Sequence, residues 1–97
     1  MYARVTSAQT DPKNIEQVRK IYAESVVPAA KKQKGFRAIS LMINLETGDV
    51  LSISYWNSEE DAVATEKNLY YQEQVAKFIP FYNRDPIREG YEVLIQE

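Results

Sequence analysis

The stretch that decides the fold is FRAISLMINLETGDVLSISYW, residues 36–56. Apolar side chains alternate with smaller or polar ones on both sides of residues 46–49, which read Glu-Thr-Gly-Asp. Alternation of this kind around a short glycine-containing turn is typical of a β-hairpin. We therefore predict two strands, 36–45 and 50–56, with Gly48 free to adopt the left-handed conformation that the turn needs.

A helix is predicted on the N-terminal side of the hairpin, at about residues 12–32. Asp11 is a suitable N-cap, and Pro12 suits the first helical position. Apolar residues then recur at three-to-four spacing, as on one face of an amphipathic helix. Pro28 is expected to kink this helix or end its first part, and Gly35 to close it.

A second helix is predicted on the C-terminal side. Ser58 is a suitable N-cap, and the three acids that follow it favour the positive end of the helix dipole. The apolar pattern continues through Leu69 and Tyr70, and a further stripe runs to Pro80. We explain the acidic cluster by the dipole and expect no metal site there.

Two outer strands, 2–7 and 87–96, complete the order β-α-β-β-α-β. This order predicts an α+β, ferredoxin-like fold, a four-stranded antiparallel sheet with two helices on one face. The 97 residues fit one domain, 1–97, with no room for a second core.

Composition excludes several classes of function. The chain has no cysteine and no histidine, which removes disulfides, thiolate nucleophiles, imidazole bases and His-ligated haem. The formal net charge of −2 argues against nucleic-acid binding. There is no apolar run of the ~18 residues that a membrane span needs, and no signal-peptide pattern at Met1, so a cytoplasmic location without membrane association is expected.

The uncovered sheet face is expected to be an interface. We assign Ile39, Leu41, Ile43 and Leu45 to the helix side. To the open side we assign Phe36, Ala38, Ser40, Met42 and Asn44 of the first hairpin strand and Val50, Ser52, Ser54 and Trp56 of the second. Charges are nearly absent from this open set, so we expect a second copy to cover it by sheet-on-sheet packing in a homodimer.

Four segments carry a family resemblance: Val27-Pro28, residues 34–37, residues 55–62 and residues 91–94. Together they resemble the antibiotic biosynthesis monooxygenase-like domains of the dimeric α/β-barrel superfamily, over nearly the whole chain. The resemblance implies a dimeric barrel and an oxidoreductase that oxygenates an electron-rich aromatic molecule without metal, flavin or other cofactor.

The resemblance carries over only in part to individual residues. Trp56 matches the family tryptophan, but Ser52 and Ala62 stand where the oxygenases use asparagine and tyrosine. Haem-degrading relatives use a histidine near the position of Glu66, so haem degradation is not expected here.

The candidate catalytic residues are Trp56, to stack on an aromatic ligand, and Glu66, to accept a proton. The candidate ligand-binding residues are Arg37, Tyr22, Tyr70, Phe78 and Tyr82. Structural explanations stand beside these roles: core packing for the aromatic residues, and solvated surface charge for Arg37 and Glu66. Two functions follow: a cofactor-independent monooxygenase-like protein that acts on a small aromatic or hydrophobic molecule, or a non-catalytic dimeric ligand-binding protein.

Overall fold

A computed structural model describes all 97 residues and contains one antiparallel sheet of four strands in the order β2-β3-β1-β4. The strands are β1 (Tyr2–Gln9), β2 (Phe36–Ile43), β3 (Asp49–Trp56) and β4 (Ile87–Glu92). The helices are α1 (Ile15–Ile21), α2 (Val27–Lys31), α3 (Glu59–Lys67) and α4 (Tyr70–Ala76). The α+β, ferredoxin-like fold predicted from the sequence is confirmed. None of the helices is long and apolar enough to span a bilayer.

Strand β4 ends four residues before the predicted end. Its pairing with β1 runs from Ser7 opposite Ile87 to Tyr2 opposite Glu92. The Val93 N–H still donates to the Met1 carbonyl at 2.9 Å, but the residues after it are not part of the sheet.

The first helical region is continuous from Pro12 to Lys31 but not uniform. A 3₁₀ turn (Pro12–Asn14) leads into α1, a π-helical turn (Tyr22–Val26) follows, and α2 contains Pro28. The sequence predicts that Pro28 either kinks this helix or ends its first part. The second outcome is wrong, because helical structure continues on both sides of Pro28. A proline lacks the N–H of the usual i→i−4 bond, and the wider π turn precedes it, with the Val27 N–H bonded to the Tyr22 carbonyl.

The second helical region is interrupted, which corrects the prediction that Leu69 and Tyr70 continue one helix. Leu69 has φ 68°, the left-handed region, and separates α3 from α4. The Asn68 side chain accepts the Tyr70 N–H at 3.0 Å, a local bond that competes with helix continuation. The predicted cap is confirmed at the start of α3, where Ser58 Oγ accepts the Asp61 N–H.

The assignment of faces was right for β2 from Ala38 to Ile43 and wrong for β3. Ile39, Leu41 and Ile43 pack against the core of Val18, Tyr22, Val26 and Phe78. Directly opposed residues of antiparallel strands share a face. Since these three lie opposite Ser54, Ser52 and Val50, those β3 residues and Trp56 also face the helices, not the open side.

Two further residues depart from the predicted faces. A bulge at residues 36–38 turns Phe36 toward the helix side, where its ring meets the Trp56 ring edge to face at 5.9 Å. Leu45 lies in the exposed hairpin turn instead of the core.

The open face is more apolar than the sequence assignment suggested. Its β3 residues are Leu51, Ile53 and Tyr55, and neighbouring strands contribute Val5, Met42, Ile87 and Tyr91. We consider the stretch of this face between Ala3 and Ser7 of β1, together with the residues paired beside it on the other strands. Glu89 is the only charged residue in that stretch.

Candidate functional site

A cavity lies between the sheet and the helical layer. Its floor is made of short polar side chains on neighbouring strands, Thr6, Ser52 and Ser54. Its walls are aromatic and apolar, and they include Tyr22, Val26, Ile39, Tyr70, Tyr71, Val75, Phe78 and Tyr82. The cavity is partly open to solvent and has a volume of about 60 Å³, room for a few water molecules. A ring-containing ligand therefore needs more room than this, and side chains of the lining must move apart to admit it.

Local irregularities of the helices place the walls. Tyr22 starts the π-helical turn, and its ring tilts against Phe78 at 6.2 Å. Phe78 stacks on Tyr82 at 6.0 Å. The break at Leu69 restarts the helix so that Tyr70 and Tyr71 both reach the cavity.

The serines of the floor are satisfied by buried aromatic groups. The Tyr22 hydroxyl donates to the Ser40 carbonyl at 3.3 Å and shares a 2.7 Å hydrogen bond with Ser52 Oγ. The Trp56 indole N–H donates to Ser54 Oγ at 2.9 Å. These bonds fix the floor, because buried polar groups are costly without partners.

Three cavity hydroxyls, those of Tyr70, Tyr71 and Tyr82, make no hydrogen bond within the chain. Burial raises the pKa of Tyr70 and of Tyr82 to about 12, and neighbouring tyrosines add to the effect. Burial also raises the pKa of Tyr22 to about 12, against the opposing effect of its bond with Ser52. At neutral pH Tyr22, Tyr70 and Tyr82 are uncharged phenols, and the hydroxyls of Tyr70 and Tyr82 are available as donors.

An ion cluster lies at the sheet end of the cavity. The Arg88 Nε and the Arg4 Nη2 both donate to Oε1 of Glu66, at 2.9 and 2.6 Å. Arg88 also donates from Nη1 to Thr6 Oγ1 at 3.2 Å. Burial lowers the pKa of Arg88, and its hydrogen bond with Glu66 opposes that change. Arg88 is the single charged residue in the cavity lining.

The structure brings together four of the predicted site residues and separates three others. Tyr22, Tyr70, Phe78 and Tyr82 all line the cavity. Trp56 is buried beside the cavity and outside its lining. Arg37 is exposed and bonds Asn57 Oδ1 at 3.2 Å, away from the cavity, and Glu66 lies behind Arg88.

Arg88 is the charged residue of the cavity lining, and it is not among the site residues predicted from the sequence. A signal was present, since the strand pattern that puts Ile87 and Tyr91 on one face puts Arg88 and Gly90 on the other. An arginine directed toward a covered face indicates a partner or a ligand there. No three His, Cys, Asp or Glu side chains are grouped so that they could hold a metal ion.

Comparison with known proteins identifies the family. The family model described as antibiotic biosynthesis monooxygenase matches residues 1–77. The chain is thus a member of the antibiotic biosynthesis monooxygenase family. No curated protein matches it significantly.

Solved structures show the same fold at low sequence identity. A candidate antibiotic biosynthesis monooxygenase from Bordetella bronchiseptica has a TM-score of 0.81 at 12% identity, covering 97% of both chains. Rv0793 from Mycobacterium tuberculosis has a TM-score of 0.76 at 14% identity, covering 98% of this chain and 96% of its own. A mutant of SnoaB, a cofactor-independent oxygenase from Streptomyces nogalater, has a TM-score of 0.76 at 10% identity, covering 98% and 94%. At these identities the likeness establishes the fold.

Proposed function

We propose that this protein is a cofactor-independent monooxygenase that binds a small aromatic or hydrophobic molecule in the cavity between the sheet and the helices. The observation that carries the proposal is the set of unused donors there. The Tyr70, Tyr71 and Tyr82 hydroxyls have no partner in the chain, and neither does Nη2 of Arg88. Apolar walls with a few convergent polar groups are the usual make-up of a ligand site.

The chemistry of such a reaction depends on the substrate. A ring compound that loses a proton to become an enolate or phenolate can give electrons to dioxygen directly. One oxygen atom then enters a ring carbon that bore two hydrogens, and those hydrogens leave with the second oxygen atom as water. The protein's share is to hold the ring away from water and to stabilise the anion, which neutral tyrosine donors and a guanidinium can do.

The roles predicted for Glu66 and Trp56 change in this proposal. Glu66 Oε1 is occupied by two guanidinium groups, so we assign it the positioning of Arg88 in place of proton transfer. Trp56 donates its N–H to Ser54 and packs on Phe36, so we assign it the support of the floor in place of stacking on a ligand. Tyr70 and Tyr82 remain the proposed ligand contacts, with Tyr22 and Phe78 as the walls.

A homodimer is the proposed assembly. Leu51, Met42 and Tyr91 are each 40% or more exposed on the open face. A contiguous exposed apolar sheet face is unfavourable in water, and a second copy can cover it symmetrically to close a barrel of two sheets. Replacing Leu51 with Lys should give a monomer in sedimentation velocity, whereas Ala64→Lys on exposed α3 should leave the dimer intact. A monomeric wild type at micromolar concentration would contradict this part of the proposal.

Oxygen uptake with anthrone-like and quinol substrates tests the activity. The Tyr70→Phe/Tyr82→Phe variant removes two of the three free hydroxyls and keeps Tyr71, whose ring contacts Arg88. Tyr91→Phe on the open face is the matched control. We expect uptake that the double variant reduces by at least about tenfold and the control leaves unchanged. Ligand binding without turnover would favour the non-catalytic ligand-binding protein instead.

A cytoplasmic location is also proposed. Cell fractionation tests it, and recovery of the protein in a membrane or secreted fraction would contradict it.

A further inference from the structure

The ion cluster beside the cavity is unbalanced. Two guanidinium groups, Arg4 and Arg88, share one carboxylate, that of Glu66. Their side chains are only 14% and 15% exposed, and the side chain of Glu66 is 32% exposed. The cluster therefore carries a net charge of +1. Arg88 is the only charged residue of the cavity lining, so no other lining residue balances that charge.

The cluster also has unused hydrogen-bond donors. Arg4 Nε is buried and has no partner in the chain. Arg88 uses Nε and Nη1 but not Nη2. Of the two arginines only Arg88 borders the cavity, so an anion bound there can accept from its free Nη2 and offset the excess positive charge.

The geometry holds Arg88 in place for such a contact. Its guanidinium lies 3.9 Å from the centre of the Tyr71 ring, while Glu66 and Thr6 hold two of its nitrogens. Arginine's planar fork is suited to binding carboxylate and similar oxygens when it is fixed in this way. Tyr71 and Arg88 both line the cavity, so the fixed guanidinium borders the space that a ligand occupies.

We infer that the cavity selects a ring compound that carries one anionic oxygen group, bound by Arg88, and that Arg4 and Glu66 set the charge that Arg88 presents. This inference rests on the proposed function in taking the cavity as the ligand site, and it adds the charge of the ligand. A neutral ring compound of the same shape leaves the excess positive charge unpaired and binds more weakly.

Calorimetric titration with matched probes tests the inference. The probes are benzoate with benzamide, and phenylacetate with phenylacetamide, which differ mainly in charge. We expect each anion to bind about tenfold or more tightly than its amide, as a charged hydrogen bond predicts. Equal affinities of anion and amide would overturn the inference, and so would the absence of binding by all four probes.

Charge variants separate electrostatics from packing. Glu66→Gln raises the cluster charge to +2 and keeps an oxygen acceptor, so benzoate should bind more tightly while benzamide is unaffected. Arg88→Met should abolish the preference for benzoate, and Arg84→Met, an exposed arginine outside the cavity, should preserve it. If circular dichroism shows that Arg88→Met does not fold, Glu66→Gln still tests the inference. A purely structural role of the cluster predicts that Glu66→Gln binds benzoate more weakly or equally, whereas the inference predicts tighter binding.

The outcome is separable from that of the proposed function. Anion-selective binding without oxygen uptake would leave this inference standing and remove the oxygenase. Turnover of ring compounds that depends neither on their charge nor on Arg88 would support the oxygenase and overturn this inference.

Discussion

The guanidinium carbon of Arg88 on β4 lies 3.9 Å from the centre of the Tyr71 ring on α4. This contact joins the sheet to the second helical region across the cavity. A cation over an aromatic face is stabilising, more so when partly desolvated. The pair therefore both closes the cavity wall and fixes the one charged group that faces the interior.

Replacing Tyr71 tests the importance of that contact. Tyr71→Leu removes the π face and should lower the free energy of unfolding by about 1–2 kcal/mol. Tyr71→Phe keeps the ring and should cost less than about 0.5 kcal/mol. Urea unfolding measures both changes, and equal losses in the two variants would show that the ring face contributes nothing.

Gly90 leaves space for two side chains where β4 passes the ion cluster. A Cβ at this position would overlap the Tyr2 hydroxyl and would come within 2.8 Å of Arg4 Nη1. Both atoms are the ends of flexible side chains that can move aside, so Gly90→Ala should cost about 1 kcal/mol of stability, mainly by displacing Arg4 from Glu66. Adding Tyr2→Phe removes the overlapping oxygen and should restore part of the loss in thermal unfolding. A Gly90→Ala variant as stable as wild type would disprove the crowding.

Leu69 offers a substitution that should stabilise the chain. Its φ of 68° is strained for a residue with a side chain, and its side chain is mostly exposed, so little burial is lost on removing it. Leu69→Gly should raise the free energy of unfolding by about 0.5–1 kcal/mol. Ala64→Gly, an exposed site inside α3, should instead lower it by a similar amount. Destabilisation by Leu69→Gly would indicate that its side chain packs usefully.

Alkaline pH should destabilise the fold through the cavity tyrosines. The pKa values of Tyr22, Tyr70 and Tyr82 rise from about 10 in the unfolded chain to about 12 in the folded one. Because the folded state holds these protons more tightly, the stabilisation is fully present below pH ~10 and is lost as pH rises toward ~12. Ultraviolet titration should show that three of the seven tyrosines ionise late, together with unfolding. Ionisation of all seven near pH ~10 in the folded protein would contradict the burial.

Local signals in the sequence predicted much of the fold. Asp11 and Ser58 cap helices as expected, and Gly35 and Gly48 have the left-handed φ values of 80° and 79° that their turns need. These features depend on neighbouring residues alone. The order of strands and helices follows from periodicity in the same way.

The features that the sequence did not predict depend on contacts between distant residues. Ser52 and Ser54 look like solvent-facing residues of a strand, but they face inward because their opposite partners on β2 do. Short side chains at these positions leave the space that the cavity occupies. Tyr22, Tyr70, Phe78 and Tyr82 line the cavity, and their role as ligand contacts stays a prediction, because aromatic residues fit a core and a pocket wall equally well.

We propose that this protein inserts oxygen from dioxygen into a ring compound without a cofactor. The decisive measurement is mass spectrometry of the product formed from an anthrone-like substrate under isotopically labelled dioxygen. We expect one labelled oxygen atom per product molecule with wild type and Tyr91→Phe, and little product with Tyr70→Phe/Tyr82→Phe. Unlabelled product, or equal labelled product with all three proteins, would contradict it.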